Sequence, residues 1–415
     1  MQEKAGQPEE FYIGIDLDDD WTQISYFWPG MKEPETVSMI AGGEQYRIPT
    51  ALYRPGGYGS WHLKGSSQSQ KEPGGRYIER LWGKSLRQEV IEVPQECEAQ
   101  ELFVVFLRKL IRLVPGLMDV DQVQAVTFHL REMSREAVQL LKNAAWRIGI
   151  EKNRVFIQDD AESFCHFAMN QGTELMQHDV ALFVCEDQEL SCYYLTKERK
   201  KIPARVDIAL YGLGTLPEDE MERDAVFAHK VQEVFHGKII SSVYLMGNGL
   251  EGGWMKESVQ ILCRGRRAFQ GKNLYTKGAC YGSMMQRSKQ RAQYVYFSDH
   301  KLASNIFIQV HNGEREFFYD LAEAGSSCYE MEKSCQVLLD GDENVDIWLQ
   351  AADSGKARIE SLVLTGLPKR PAKATRLLIE LLASERREIR IRITDVGFGP
   401  WYPSSGKVWE YCIDE

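Results

Sequence analysis

The stretch YIGIDLDDDWTQISYF, Tyr12 to Phe27, reads as one β-hairpin. Its first arm is apolar and its second alternates with the period of two that a half-buried strand needs. Asp18, Asp19 and Asp20 make the turn, two residues past Asp16. Aspartate favours turns because its carboxylate bonds nearby backbone amides. One like-charge pair at about 4 Å nevertheless costs about 1 kcal/mol in water and several times more near a protein surface. Two readings of the tip stay open: a solvated turn, or a ligand site whose metal ions neutralise the acids.

Outward from the hairpin, the chain alternates strands and helices. A helix is expected over 98–114, with Leu102, Phe103, Phe106, Leu107, Leu110 and Ile111 on one face, ending at Pro115-Gly116. "QAVTFHL" and "RVFIQ" read as strands, each followed by a helix, the first with Ser134 as N-cap. "DVALFVCEDQELSCYYL", Asp179 to Leu195, is a second hairpin with an acidic turn. A helix over 217–235, the strand "SSVYLMG" and the glycine turn "GNGLEGG" follow. Two halves that each open with a hairpin suggest an internal duplication in an α/β architecture. "ETVSMI" and "RIPTALY" read as short strands, and Gly56 to Gly75 as a surface loop. From about Tyr294 short alternating runs replace the helices, from "NIFIQVHN" to "KVWEYCI", and read as a separate β-sandwich.

Composition narrows the function. The chain has 415 residues, 43% of them hydrophobic, and a net charge of -10, which argues against a general nucleic-acid binder. It lacks a run of about 18 apolar residues, so no membrane span is expected. "MQEKAGQPEE" is too polar for a secretory signal, and residues 1–10 read as a disordered tail. Nine cysteines without a CxxC or Cys/His cluster point to a reduced, cytoplasmic protein without structural zinc.

Six motifs in order then resemble one family. "IGIDLDDDWTQISYF" is similar to the first phosphate hairpin of the seventy-kilodalton heat-shock chaperones, in the actin-like ATPase superfamily. The stretch from "AVTFHL" to "DDAESFCHFAMNQ" resembles their connecting segment, and "VYLMGNGLEGGWMKESVQ" their adenosine motif. "NLYTKGACYGSMM" looks like the helix that closes that domain. "IESLVLTGLPKRP" and the closing "SSGK" resemble the end of the chaperone sandwich. The likeness is greatest to a bacterial group of shortened chaperone-like proteins with degenerate nucleotide motifs. It implies a duplicated, ribonuclease-H-like, actin-like ATPase-fold domain over 11–293. A substrate-binding-like β-sandwich without a helical lid follows over 294–415.

The resemblance also assigns residues. Asp16 takes the place of the metal-facing aspartate, with Asp18 beside it, and Asp159 stands for the connecting glutamate. Gly247, Asn248 and Gly249 match the adenosine turn; a tight strand-to-helix turn is the alternative reading. The second hairpin departs furthest, with Glu186, Asp187, Gln188 and Glu189 where the family has glycines and a threonine. Glu79 falls where a catalytic lysine is expected, and the insert between Leu195 and Val243 is short. No catalytic residue is therefore assigned. The expectation is a pseudo-ATPase: a non-catalytic binding or scaffold protein that takes a peptide or protein through its sandwich. The alternatives are an ATP-dependent chaperone using ATP or ADP with Mg²⁺ at an unusual acidic site, and an actin-like assembly protein. Phe398, Trp401 and Tyr402 concentrate aromatics around glycine and proline, as at a partner-binding surface or a small core closing the sandwich. Nucleic acid and membrane partners are not expected.

Overall fold

The computed structural model describes residues 9–40, 42–57, 59–65, 75–93, 95–198, 203–287, 294–313, 315–341, 343–352, 354–382, 384 and 388–414. Most of the expected N-terminal tail, and part of the loop expected from Gly56 to Gly75, lie outside the described residues. The chain forms two compact units, Met1–Tyr296 and Phe297–Glu415.

The first unit is mixed α/β, with two sheets of the same plan. In one, β1 (Phe11–Leu17), β2 (Trp21–Phe27) and β3 (Glu35–Thr36) run antiparallel. β4 (Val123–His129) and β5 (Val155–Gln158) add in parallel on the far side of β1, giving the order β5-β4-β1-β2-β3. In the other, β6 (Asp179–Glu186), β7 (Glu189–Glu198) and β8 (Ala204–Thr215) run antiparallel. β9 (Ile240–Met246) and β10 (Arg267–Gln270) join in parallel, giving β10-β9-β6-β7-β8. Strand order and sense repeat over these five strands of each sheet. The stretch read as the strand "ETVSMI" pairs only at Glu35–Thr36, where β2 offers partners.

The helices, of which α1 (Leu81–Leu86) and α6 (Glu257–Leu262) are short, follow from apolar stripes and caps. α2 (Ala99–Ile111) buries Leu102, Phe103, Phe106, Leu107, Leu110 and Ile111, the stripe read from sequence. α3 (Arg135–Arg147) is capped by Ser134, whose Oγ accepts from the Ala137 amide at 3.1 Å. α5 (Glu220–Phe235) begins later than Pro217 because Asp219 caps it. α4 (Asp160–Met169) packs against α7 (Leu274–Arg287), which also lies across β1 and β4. Gly14 makes that crossing possible: a Cβ there would stand 2.2 Å from the Thr276 carbonyl oxygen. β6 is apolar on both faces because both are covered. Ala181, Phe183 and Cys185 meet the α5 core, while Val180 and Leu182 meet α4 and α7.

The second unit holds eight principal strands in two antiparallel sheets. They are β11 (Ser304–Asn312), β12 (Arg315–Ala322), β13 (Lys333–Leu339), β14 (Asn344–Ala351), β15 (Ala357–Val363), β16 (Thr375–Leu382), β17 (Glu388–Asp395) and β18 (Val408–Asp414). The sheet orders are β12-β11-β14-β15 and β13-β16-β17-β18. One core joins them: Ile306, Ile308, Ile347 and Leu349 from the first sheet meet Leu377, Ile379, Ile391 and Ile393 from the second. Burying each of these side chains contributes about 1.5–3 kcal/mol.

Candidate functional site

The carboxyl ends of β1 and β4 lie side by side, and their register pairs Asp16 with His129. His129 is fully buried between two carboxylates. Its Nδ1 meets Asp16 Oδ1 at 2.7 Å, and its Nε2 meets Asp160 Oδ1 at 2.8 Å. Tyr193 on β7 donates to Asp160 Oδ2 at 2.9 Å, and the Tyr275 ring stacks on the imidazole at 4.4 Å between centroids. Burial alone would push the imidazole down; the charges of Asp16 and Asp160 outweigh it and raise His129 to about 10. Both ring nitrogens therefore donate at neutral pH. Burial likewise opposes the Asp160 charge, yet the hydrogen bond from His129 leads the interactions that lower its carboxyl. A continuous chain, Asp16–His129–Asp160–Tyr193, thus crosses from the first sheet to the second.

A second cation bridges the hairpins. Arg131, just past β4, forms an ion pair with Glu186 at the end of β6, and its Nε lies 3.9 Å from Asp18. Burial works against the Arg131 charge and Glu186 more than offsets it. Arg80 Nε stands 3.2 Å from Asp19 and 3.3 Å from Asp20. Asp19 also accepts from the Gly83 amide at 2.7 Å, and Asp18 accepts from the Asp20 amide at 3.2 Å. Each acid of the first turn has a partner within the chain. A cavity of about 300 Å³ lies beside this network, with Asp16, Trp21, Arg47, Glu186, Gly247 and Tyr275 among its lining.

The expected residues separate here. Asp16 and Gly247 border one cavity, whereas Asp159 caps α4 by accepting from the Glu162 amide at 2.7 Å. Its neighbour Asp160 joins the network instead. Gly247, at φ +97°, needs to be glycine for packing: a Cβ would sit 2.2 Å from the Cys185 carbonyl oxygen. Asn248 Oδ1 accepts from the Asp187 amide at 3.3 Å, and a Cβ on Gly249 would meet Cys185 Sγ. The Gly247–Gly249 turn thereby seats the second hairpin. That hairpin takes positive φ at Asp187 and Gln188, 46° and 72°, as a two-residue hairpin turn requires. Glu79 pairs with Lys64, away from the network.

A Mg²⁺-bound phosphate needs carboxylates free to hold the hydrated metal and backbone amides open in glycine turns. Here an imidazolium and two guanidiniums already engage the acids, and Glu186 faces the first hairpin. The residue set does not fit that group. Among the described residues no group of three or more His, Cys, Asp or Glu is placed to hold a metal ion. Asp16 and Asp18, the residues expected to face a metal, each meet a cation of the chain itself.

The sandwich offers a different surface. β12 and β13 are edge strands of opposite sheets, and a groove of about 870 Å³ runs along both. Val310, Phe317, Tyr319, Val337 and Leu339 are among its lining residues. All residues of β12 from Arg315 to Asp320 are exposed, including Phe317 at 47% and Phe318 at 52%. At the loop after β17, Trp401 is 89% and Phe398 45% exposed, so they do not form a small core closing the sandwich; Trp409 is buried in the core.

A model described as "Family of unknown function (DUF5716) C-terminal" matches residues 33–299, well over half of the chain. The chain belongs to the DUF5716 family. A second model, "Domain of unknown function (DUF8552)", matches residues 301–414, so this DUF5716 chain divides between the two matches close to its division into compact units. The DUF5716 match starts after β2, leaving the aspartate turn outside it. No curated protein matches the chain.

His129, Arg131, Asp160 and Tyr193 were not assigned from sequence. One signal was available: a lone histidine ending the apolar strand "QAVTFHL", with an aspartate pair following the next strand.

Proposed function

We propose that this DUF5716 chain is a non-catalytic, chaperone-like binding protein on an actin-like plan. Its nucleotide cleft has become an internal ion network, and its sandwich binds an extended peptide of a protein partner. The observation that carries the binding reading is β12. An edge strand exposing consecutive aromatics beside a groove lined by both apolar and polar side chains is a ready template for strand addition. Main-chain hydrogen bonds along the edge would supply affinity, and the groove would take alternate apolar side chains. The duplicated sheet order and the eight-stranded sandwich support the chaperone likeness. The network at His129 and Arg131 supports a cleft without ATP hydrolysis.

The test is fluorescence anisotropy of the full chain with a labelled, extended, apolar peptide. Binding that Phe317→Ser weakens about tenfold is the expected result. Cys335 lines the groove, so bound peptide should also slow its alkylation. Equal affinity of both proteins for the peptide, with unchanged alkylation, would remove the binding reading.

A further inference from the structure

The loop that presents Trp401 is held from beneath. Asp395, fully buried at the end of β17, receives both terminal nitrogens of Arg370 at 2.9 and 2.8 Å. The same carboxylate accepts from the Gly397 amide at 3.0 Å, the Ser405 amide at 3.0 Å and the Ser405 hydroxyl at 2.6 Å. Arg370 also donates to the Pro403 carbonyl at 2.8 Å, and Arg376 to that of Gly397 at 2.9 Å. The Phe398 amide closes the turn onto the Tyr402 carbonyl at 2.6 Å. Pro400 and Pro403 fix φ around Trp401 and Tyr402. An indole this exposed on so constrained a loop loses little freedom when a partner covers it.

The charge around it has one sign. From Leu364 to Ile379 and from Val396 to Trp409 the chain carries Lys369, Arg370, Lys373, Arg376 and Lys407, with no aspartate or glutamate. The contacts above join these two loops at one end of the sandwich. Arg370 is spent on Asp395, and Arg376 and Lys407 each donate to a backbone carbonyl, of Gly397 and Gly366; Lys369, Lys373 and Lys407 are exposed. Lys373 lies 3.8 Å from Asp340, where the basic surface borders the rim of the groove. A basic end on a protein of net charge -10 is a local inversion.

We infer that Trp401 and Phe398, ringed by Lys369, Lys373 and Lys407, form a docking surface for an acidic, aromatic- or aliphatic-bearing segment of a partner protein. The indole supplies the anchor, and the lysines select charge and steer encounter. An anionic bilayer shares the charge, but stable attachment takes a larger cluster of free cations or a second anchor. This surface goes beyond the β12 groove, with which it shares Lys373 at the rim.

The experiment uses the full chain and a fluorescein-labelled peptide alternating glutamate and leucine, against its lysine–leucine counterpart. The acidic peptide should bind more tightly, and less so as salt rises. Trp401→Ala should weaken it about tenfold, since a buried anchor dominates such contacts. Lys369→Glu with Lys407→Glu should abolish the preference for acid, while Phe317→Ser in the groove leaves it unchanged. Trp401 is exposed, so its replacement should leave the melting temperature in place. Equal binding of both peptides would overturn the inference, as would a Trp401→Ala protein with unaltered affinity. So would flotation with phosphatidylserine vesicles in the absence of peptide binding.

Discussion

The cleft of the α/β unit and the groove of the sandwich differ in what they leave unsatisfied. In the cleft, Asp16, Asp18, Asp19, Asp160 and Glu186 each meet a cation from within the chain. In the groove, β12 leaves a strand edge and the ring of Phe317 uncovered. A cluster of acids in a sequence suggests ligand chemistry, yet the fold has supplied its own counter-ions. On the proposed reading, the binding capacity lies where backbone and apolar surface remain uncovered.

The largest expected effect falls on the cleft. Removing the imidazolium by His129→Ala leaves two carboxylates facing one another in a largely buried site, and should cost about 3–5 kcal/mol in urea unfolding. A loss below about 1 kcal/mol would mean that the network holds little of the unit together. The same group sets a pH signature. Its folded pKa, about 10, is raised from 6.5, so its contribution is complete below about pH 6.5. That contribution fades as the pH rises through about 10. Thermal melts should therefore fall across this interval for the native chain and much less for His129→Gln. Parallel curves would assign the alkaline loss to other groups.

Smaller effects sharpen the contrast with the sandwich. Asp395→Ala strands Arg370 and frees the loop beneath Trp401, and should cost about 2–3 kcal/mol by urea unfolding. Phe317→Ser should weaken an extended apolar peptide about tenfold while changing stability by less than about 0.5 kcal/mol, because the ring lines the groove and is exposed. Arg131→Ala should cost about 1 kcal/mol at most, since that ion pair is partly solvated. A much larger loss at Arg131 would make the hairpin bridge, rather than His129, the principal tie.

The elements were legible where a periodic pattern decides them. The stripe on α2, the Ser134 cap and the alternation of Ile389, Ile391 and Ile393 with Arg390 and Arg392 each report a local environment. The network was not, because it depends on parallel register between strands far apart in sequence, which sets Asp16 beside His129. Asp159 and Asp160 are adjacent acids with different work: one caps a helix, the other pairs with a histidine from another strand. No periodicity separates those roles. Charge compensation was hidden for the same reason. Arg80 and Arg131 lie well away from the aspartate turn in the chain and reach it only through the fold.

Amide hydrogen exchange on the full chain tests the contrast most directly, with Mg-ATP in one sample and the extended apolar peptide in another. The peptide should slow exchange along Arg315–Ala322 and at the edge of Lys333–Leu339. Mg-ATP should leave both hairpins, Phe11–Phe27 and Asp179–Glu198, unchanged. Protection of the hairpins by Mg-ATP, or no protection of Arg315–Ala322 by the peptide, would contradict a closed cleft beside an open groove.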